Sequence, residues 1–402
     1  MKEKKFTKDE IVFILLIGLA LGFRQIAMNL VTPFVATYCS SLAYGSLFLA
    51  GVALGIFGLT QGLFQVPFGI WSDKYGYKKM ILIGIFIMTI GMVIAVFADN
   101  AYLFVLSRAV QGIGAITSAG YAWLSGSISF EKRADAISLV GIIVGLCSAL
   151  AFGGSPILRE FISVRDILVL ALIAIIVMFV VIAFFLKDIR KEEPKTDKEI
   201  EKKSLKDSVA YMKKLFKNRS YAAVIIVAFI NGFVGISGMF IIPEYCKSLI
   251  GTKHMWMVLT PAILLSIVVM RISTRFIKKG HGKIVATLAT IGLFLGTVIF
   301  IFSYSPWILF IAALLLLMGY NTLFSLIPTI VNLVSNNAFR GIANGTYNLM
   351  FYIGDFIGTT IVGALWNNYQ YVALGILIVF SFLAVLFALF IIPSFRTIKQ
   401  VE

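Results

Sequence analysis

Twelve apolar runs, each about as long as a bilayer is thick, constrain this chain more than any other feature. They fall at roughly residues 11–37, 47–71, 80–97, 101–124, 135–158, 167–186, 221–243, 255–275, 283–302, 306–331, 341–366 and 370–393. Backbone polar groups in lipid must be satisfied within the protein, and these runs are too long and continuous for barrel strands. The expected fold is therefore an all-α integral membrane protein of twelve transmembrane helices. A chain that is 60% hydrophobic and only 13% charged agrees.

The net charge of +16 would suit a polyanion partner if it were clustered on one soluble face. Instead it alternates between loops. Lys2, Lys4, Lys5, Lys8, Lys74, Lys78, Lys79, Lys132, Arg133, the middle segment, Arg275, Lys278, Lys279, Lys283, Arg340, Arg396 and Lys399 fall on one side, against Arg159, Arg165, Lys247 and Lys253 on the other. The positive-inside rule then places both termini and the middle loop in the cytoplasm of a multi-pass cell-membrane protein, and nucleic acid is not the expected partner. The first run is long enough to span and is followed by eleven more, so no cleavable signal peptide is expected. Cys39, Cys147 and Cys246 are too scattered for a disulfide framework, and His254 and His281 fall near loop ends, so no metal or other cofactor is expected.

Between Lys187 and Arg219 lie twelve bases and seven acids. This segment divides the chain into an N-terminal six-helix bundle (1–186), a cytoplasmic linker (187–220) and a C-terminal six-helix bundle (221–402). Within the linker, Leu205, Val209, Met212, Leu215 and Phe216 recur at helical spacing opposite Lys206, Lys213, Lys214 and Lys217. That pattern suits a helix lying on an anionic leaflet, or equally a solvated linker helix. The basic turn after the second run has a counterpart after the eighth, as expected of a repeated unit with substrate bound between repeats.

The turn GIWSDKYGYKK, with Gly69, Asp73, Gly76, Lys78 and Lys79 between the second and third runs, resembles motif A of the major facilitator superfamily. Arg108-Ala-Val-Gln111-Gly112-Ile-Gly114-Ala115 looks like motif B, and Gly145, Gly153 and Gly154 look like motif C of the drug:proton antiporters, although the usual Gly-Pro pair falls on Ala149 and Leu150. Gly58 to Gly69, with Arg24 in the first run, is most similar to the YajR-type branch. The resemblance covers all twelve runs and implies two pseudo-symmetric six-helix bundles that alternate access. It further implies a role for Arg108 in proton coupling and for Asp73 as a latch of the outward-facing state. Tyr77 departs from motif A, where the family carries a base.

Arg24 lies near the centre of the first run, where a charge costs about 2.5–3.5 kcal/mol on insertion scales. It either faces a cavity and binds an anionic group or is satisfied by carbonyls and water. Arg108 is read as a coupling residue or as a packing ion bonded to Gln111 or a carbonyl. Asp355 is the only acid deep in a run. Asn344, Asn348, Tyr352, Asp355 and Thr359 follow at steps of four, four, three and four, one polar stripe that should face the bundle interior. Burial disfavours a charged carboxylate and a nearby arginine favours it, so Asp355 is read as a proton-carrying acid, as half of a static Asp–Arg pair, or as lying away from the cavity. Asn231 and, near the outer end of its run, Glu244 are weaker cavity candidates, and Asn321 with Ser325 either bonds a substrate or bridges helices. Gln61 and Gln65 are read as helix bridges, and Gly51, Gly55, Gly58, Gly62, Gly141, Gly145, Gly354 and Gly358 as close helix approaches.

The expected function is not enzymatic: a monomeric secondary transporter, with no Walker A pattern for ATP, that exports amphipathic small molecules or drugs in exchange for protons. Uptake or facilitated diffusion of a small metabolite, an anionic one included, is the alternative. A membrane-embedded sensor is the remote one.

Overall fold

The computed structural model describes residues 6–187, 205–336 and 340–391. Among them, twelve helices are long and apolar enough to cross a membrane: spans 1 to 6 are Lys8–Ser41, Leu47–Tyr75, Tyr77–Phe97, Ala101–Ser127, Glu131–Phe161 and Val164–Phe185, and spans 7 to 12 are Arg219–Leu249, Thr252–Ile277, Gly282–Phe302, Pro306–Val334, Ile342–Leu365 and Gln370–Phe390. Each matches an expected run to within a few residues at the described ends. The loops joining spans 2 to 3, 4 to 5, 8 to 9 and 10 to 11 lie on one side, here the basic face; those joining the other pairs within each half lie on the opposite face.

The helix ends follow local chemistry. Thr7 caps span 1 in a box with Glu10, and Ser163 caps span 6 in a box with Asp166. Ser46, Asn100, Asn218 and Ser305 each accept a bond from the first turn of the helix they precede. Spans 2 and 3 are joined by the single residue Gly76, at φ 95° and ψ 139°, where an added carbon would meet nothing. Glycine is needed there for conformation and not for space.

Two spans are interrupted. Span 1 is helical to Asn29 and resumes through a 3₁₀ turn at Thr32–Phe34 with Pro33 inside it. Span 4 ends its first helix at Ile113 and begins its second at Thr117, an unwinding that frees carbonyls in mid-membrane.

The two six-helix halves meet along span 2 against span 11 and span 5 against span 8. An added Cβ at Gly51 would overlap the Thr359 carbonyl; at Gly55 it would sit 2.5 Å from Thr359 Oγ1 and 2.6 Å from Phe356 Cα. At Gly62 it would lie 3.0 Å from the Tyr352 ring, and further toward the basic face a carbon on Gly345 would meet only Val66, at 3.7 Å. The seam is thus tightest near the opposite face and loosens toward the basic face. Spans 5 and 8 repeat the trend. Thr260 Oγ1 donates to the Gly153 carbonyl at 2.8 Å, whereas a carbon on Gly141 would meet nothing. Gly141 is therefore not at a close approach, contrary to the small-residue pattern that suggested one. Gly354 and Gly358 do make one, but with Phe229 and Phe233 of span 7 in their own half.

The linker helix, Leu205–Lys217, packs on spans 7 and 11. Leu215 is fully buried, Tyr211 is buried with its hydroxyl accepting from Asn336 N at 2.7 Å, and Met212 Sδ lies 3.9 Å from Thr346 Oγ1. Part of its apolar face, Tyr211 and Leu215, is thus covered by protein, while Phe216, Lys213, Lys214 and Lys217 are exposed.

Candidate functional site

The polar residues that cost most in a membrane gather where span 2 lies between Arg24, Arg108 and span 11. Arg24 is 1% exposed, and the break in span 4 supplies much of what it needs. Its Nε donates to the freed Gly114 carbonyl at 3.2 Å, Nη1 to Gln25 Oε1 at 3.2 Å and Thr117 Oγ1 at 3.5 Å, and Nη2 to Gln61 Oε1 at 3.0 Å. Gln61 turns its amide the other way, donating Nε2 to Tyr352 Oη at 2.7 Å. A hydrogen-bonded chain thus runs from span 1 through span 2 into span 11, from one half of the molecule to the other.

One turn from Tyr352 is Asp355, also buried. Its Oδ2 lies against Gly58, whose missing side chain makes room for it. Its Oδ1 is buried with no hydrogen-bond partner, and among the described residues no lysine or arginine lies within ion-pair distance of it. Arg108, likewise buried, donates Nε to the Ala53 carbonyl at 3.4 Å and Nη1 to Gln111 Oε1 at 2.8 Å, with its guanidinium 4.6 Å from the Phe57 ring centroid. Gln111 donates in turn to the Gly91 carbonyl at 3.3 Å, and Gly112 packs on the backbone of span 2 at Phe57 and Gln61.

The remaining candidates spread over the second half. Asn231 is buried, donating to the Tyr320 carbonyl at 3.3 Å while its Oδ1 has no partner. Asn321 donates to Ser266 Oγ at 2.8 Å, and Asn344 to Asn332 Oδ1 at 2.7 Å. Asn348 is half-buried. The stripe on span 11 is therefore divided: Tyr352, Asp355 and Thr359 meet span 2, whereas Asn344 bonds within its own half. Gln61 joins the stripe and Gln65 does not; the latter contributes its backbone carbonyl to Ser118 Oγ, at 3.1 Å.

In the turn after span 2, Asp73 accepts from Tyr77 Oη, and Lys78 Nζ donates to the Ala183 carbonyl of span 6 at 2.8 Å. The tyrosine that stands where motif A carries a base supplies the acid's hydrogen bond. Asp73 has no partner in the second half among the described residues, and Lys79 and Gly76 are exposed. Gly69 faces only Ser118 Oγ, 3.9 Å from an added carbon. Gly153 packs against Leu264 of span 8, and an added carbon on Gly154 would meet nothing.

One charged residue escaped the sequence reading. Arg271 lies inside span 8, where the run was taken to end in the Arg275, Lys278 and Lys279 cluster. Its guanidinium reaches span 5, with Nη2 3.4 Å from where a Cβ on Gly145 would sit. The signal was a base flanked by Val268 to Met270 and Ile272.

The chain matches the Major Facilitator Superfamily over residues 16–359. It belongs to that family. It is 26% identical to the inner membrane transport protein YajR of Escherichia coli over 92% of this chain and 80% of that one. It is 28% identical to the multi-drug resistance efflux pump PmrA of Streptococcus pneumoniae over 46% of this chain and 47% of that one. The crystal structure of a D-xylose-proton symporter superposes with a TM-score of 0.75 at 14% identity, over 97% of this chain and 100% of that chain; at that identity the likeness is one of fold. The transporter fold of two six-helix halves stands on these matches and on the twelve spans together.

Proposed function

We propose that this facilitator is a monomeric, proton-coupled antiporter that exports amphipathic small molecules by alternating access, with Asp355 as the proton-carrying acid. The observation that carries the reading is the seam itself. The only hydrogen-bonded chain described from Arg24 into span 11 crosses from half to half beside a carboxyl oxygen that is buried and unbonded. A carboxyl oxygen left unbonded in a dry seam is costly, and water reaching it relieves that cost. Opening the seam hydrates Asp355 and changes its distance from Arg108, so that proton exchange and the change of access become one event. The likeness to a multi-drug resistance efflux pump supports export.

In this reading residues 1–186 and 221–402 form the two moving halves, 187–220 joins them, and the basic face is cytoplasmic. A seam tight at the opposite face and loose at the basic face is then the inward-facing arrangement. Asp73, bonded only to Tyr77 here, is free to find a partner in the other half when the cytoplasmic side closes. Asn231, Asn321, Asn344 and Asn348 line the path on the second half, and the glycines of span 5 allow it to move past span 8.

Proteoliposomes loaded with a panel of amphipathic dyes, anionic 8-anilinonaphthalene-1-sulfonate and cationic ethidium among them, and given an imposed pH gradient test the proposal. Gradient-driven flux is expected for the wild type and loss of the gradient dependence, by at least tenfold in rate, for Asp355→Asn. Gradient-driven flux undiminished in Asp355→Asn removes the acid from the mechanism.

A further inference from the structure

The second half carries a cation at mid-membrane that nothing in the seam uses. Gly145 is the sixteenth residue of a 32-residue helix, Phe130–Phe161, so at 1.5 Å per residue it lies about 22 Å from either end. The Arg271 guanidinium, beside Gly145, is therefore at the level of the bilayer centre and not at a headgroup region. Side chains on a helix lean toward its N-terminus, which for span 8 is toward the opposite face, and so the guanidinium reaches deeper than its own Cα.

The guanidinium lies between the halves, facing span 5, and Arg271 is exposed. An exposed guanidinium facing hydrocarbon would be strongly unfavourable; one facing a hydrated path between halves is not. That path is visible in the glycines: at Gly145 an added carbon meets only Arg271, and one turn toward the basic face, at Gly141, it meets nothing. Arg275, on the same face of span 8 one turn nearer the basic face, is also exposed. Among the described residues Arg271 makes no hydrogen bond and no ion pair. The contrast with Arg24, whose nitrogens are all engaged by protein oxygens, identifies which arginine is available to a ligand.

We infer that Arg271, opposite Gly145, is an anion-binding subsite of the transport path, and that the transported amphiphiles carry an anionic group such as a carboxylate or sulfonate. The inference deepens the transport reading and rests on it for the word transported, not for the binding. A guanidinium presents paired donors to such a group, and the apolar walls of span 5, among them Ile142 and Leu146, would take the rest of the molecule. Arg275 provides a second, shallower cation on the way to the basic face.

The test uses the purified full chain in nanodiscs of zwitterionic lipid, so that no headgroup competes, and a matched pair of probes: naphthalene-2-sulfonate and 2-naphthylmethylammonium. Equilibrium dialysis of the wild type should show the sulfonate binding more tightly than the ammonium. Arg271→Gln should weaken the sulfonate about tenfold to a hundredfold, the span expected for one charged hydrogen-bonded pair, and leave the ammonium unchanged. Arg271→Lys should keep part of the preference. Gly145→Val, which leaves the arginine in place and fills the space in front of it, should weaken the sulfonate too, so that misfolding of one variant does not decide the result. A wild type that binds the ammonium as well as or better than the sulfonate, or a sulfonate affinity unchanged in both variants, overturns the inference. Dye flux in proteoliposomes separates the two readings. Flux without charge preference removes the anion site and leaves transport; charge-selective binding without flux of any dye leaves the site and removes transport.

Discussion

Removing one oxygen from the seam, Tyr352→Phe, should shift the balance between the two access states by a calculable amount. Tyr352 Oη accepts one bond, from Gln61 Nε2 at 2.7 Å, and that bond exists only while spans 2 and 11 are together at this depth. Interhelical polar bonds in membranes average about 0.6 kcal/mol and reach about 1.7; at 1.36 kcal/mol per factor of ten these become roughly threefold and eighteenfold. Spin labels at Tyr44 and Tyr369, exposed on the opposite face in different halves, and at Lys79 and Lys279, exposed on the basic face, report the two ends of the seam by electron–electron distance measurement. The variant should depopulate the short Tyr44–Tyr369 distance by a factor in that range, with thermal stability nearly unchanged. Gln61→Leu provides the internal comparison. It also strips Arg24 Nη2 of its acceptor, within the first half and in both states, at about 1.5–3 kcal/mol for a bond to a charged group. It should therefore lower the melting temperature as well as shift the distances. Identical behaviour of the two variants, or a Tyr352→Phe shift toward the short opposite-face distance, refutes the assignment of this chain as a state-specific inter-half bond.

Three further outcomes follow from the same geometry. Gly55→Val places carbon where Thr359 Oγ1 and the Phe356 backbone stand, so the tight seam cannot form; the opposite-face labels should remain apart and flux of whichever dye the wild type carries should fall at least tenfold. Gly76→Ala forces an L-residue into a backbone region reserved for glycine and should destabilise the turn by about 1–3 kcal/mol, read as a lower melting temperature of the purified protein; an unchanged value would mean that the turn relaxes. Asp73→Asn should leave this seam's distances in place and instead depopulate the state in which the basic-face labels approach, since the only partner seen for Asp73 here, Tyr77, can still donate to an amide oxygen.

What could be read from the sequence was what depends on length and on local pattern. A bilayer admits one solution for an apolar run of spanning length, so the twelve spans were legible. The stripe on span 11 was legible because helical spacing fixes which residues share a face. What depends on partners was not. Tyr352 and Gln61 are ordinary residues on their own helices, and only the register of span 2 against span 11, set by glycines four and three apart, makes them a pair. The break in span 4 is similar: Gly112 and Gly114 were visible only as part of the motif B resemblance, and that the Gly114 carbonyl would be freed for Arg24 follows only once span 1 is alongside. The linker helix is a further case, because an amphipathic face does not say how much of it protein covers, and here Tyr211 and Leu215 are buried while Phe216 is not. Arg271 was hidden by its neighbours, since a base seven residues before a basic helix end looks like part of that end.

The glycines of span 2 show how one sequence device serves both rigidity and motion. Close backbone contact at Gly51 and Gly55 gains dispersion over a smooth surface and carries no interlocking side chains that would have to be withdrawn when the helices part. The specificity of the closed seam then has to come from elsewhere, and the only directional contact between span 2 side chains and span 11 among the described residues is Gln61 to Tyr352. A seam built in this way is held by area and registered by one bond. Polar substitutions beside it should therefore alter which state is populated, and bulky ones whether the state exists at all. If Tyr352→Phe and Gly55→Val gave effects of the same kind and size, area and register would not be separable, and the alternating-access reading of this seam would lose its physical basis.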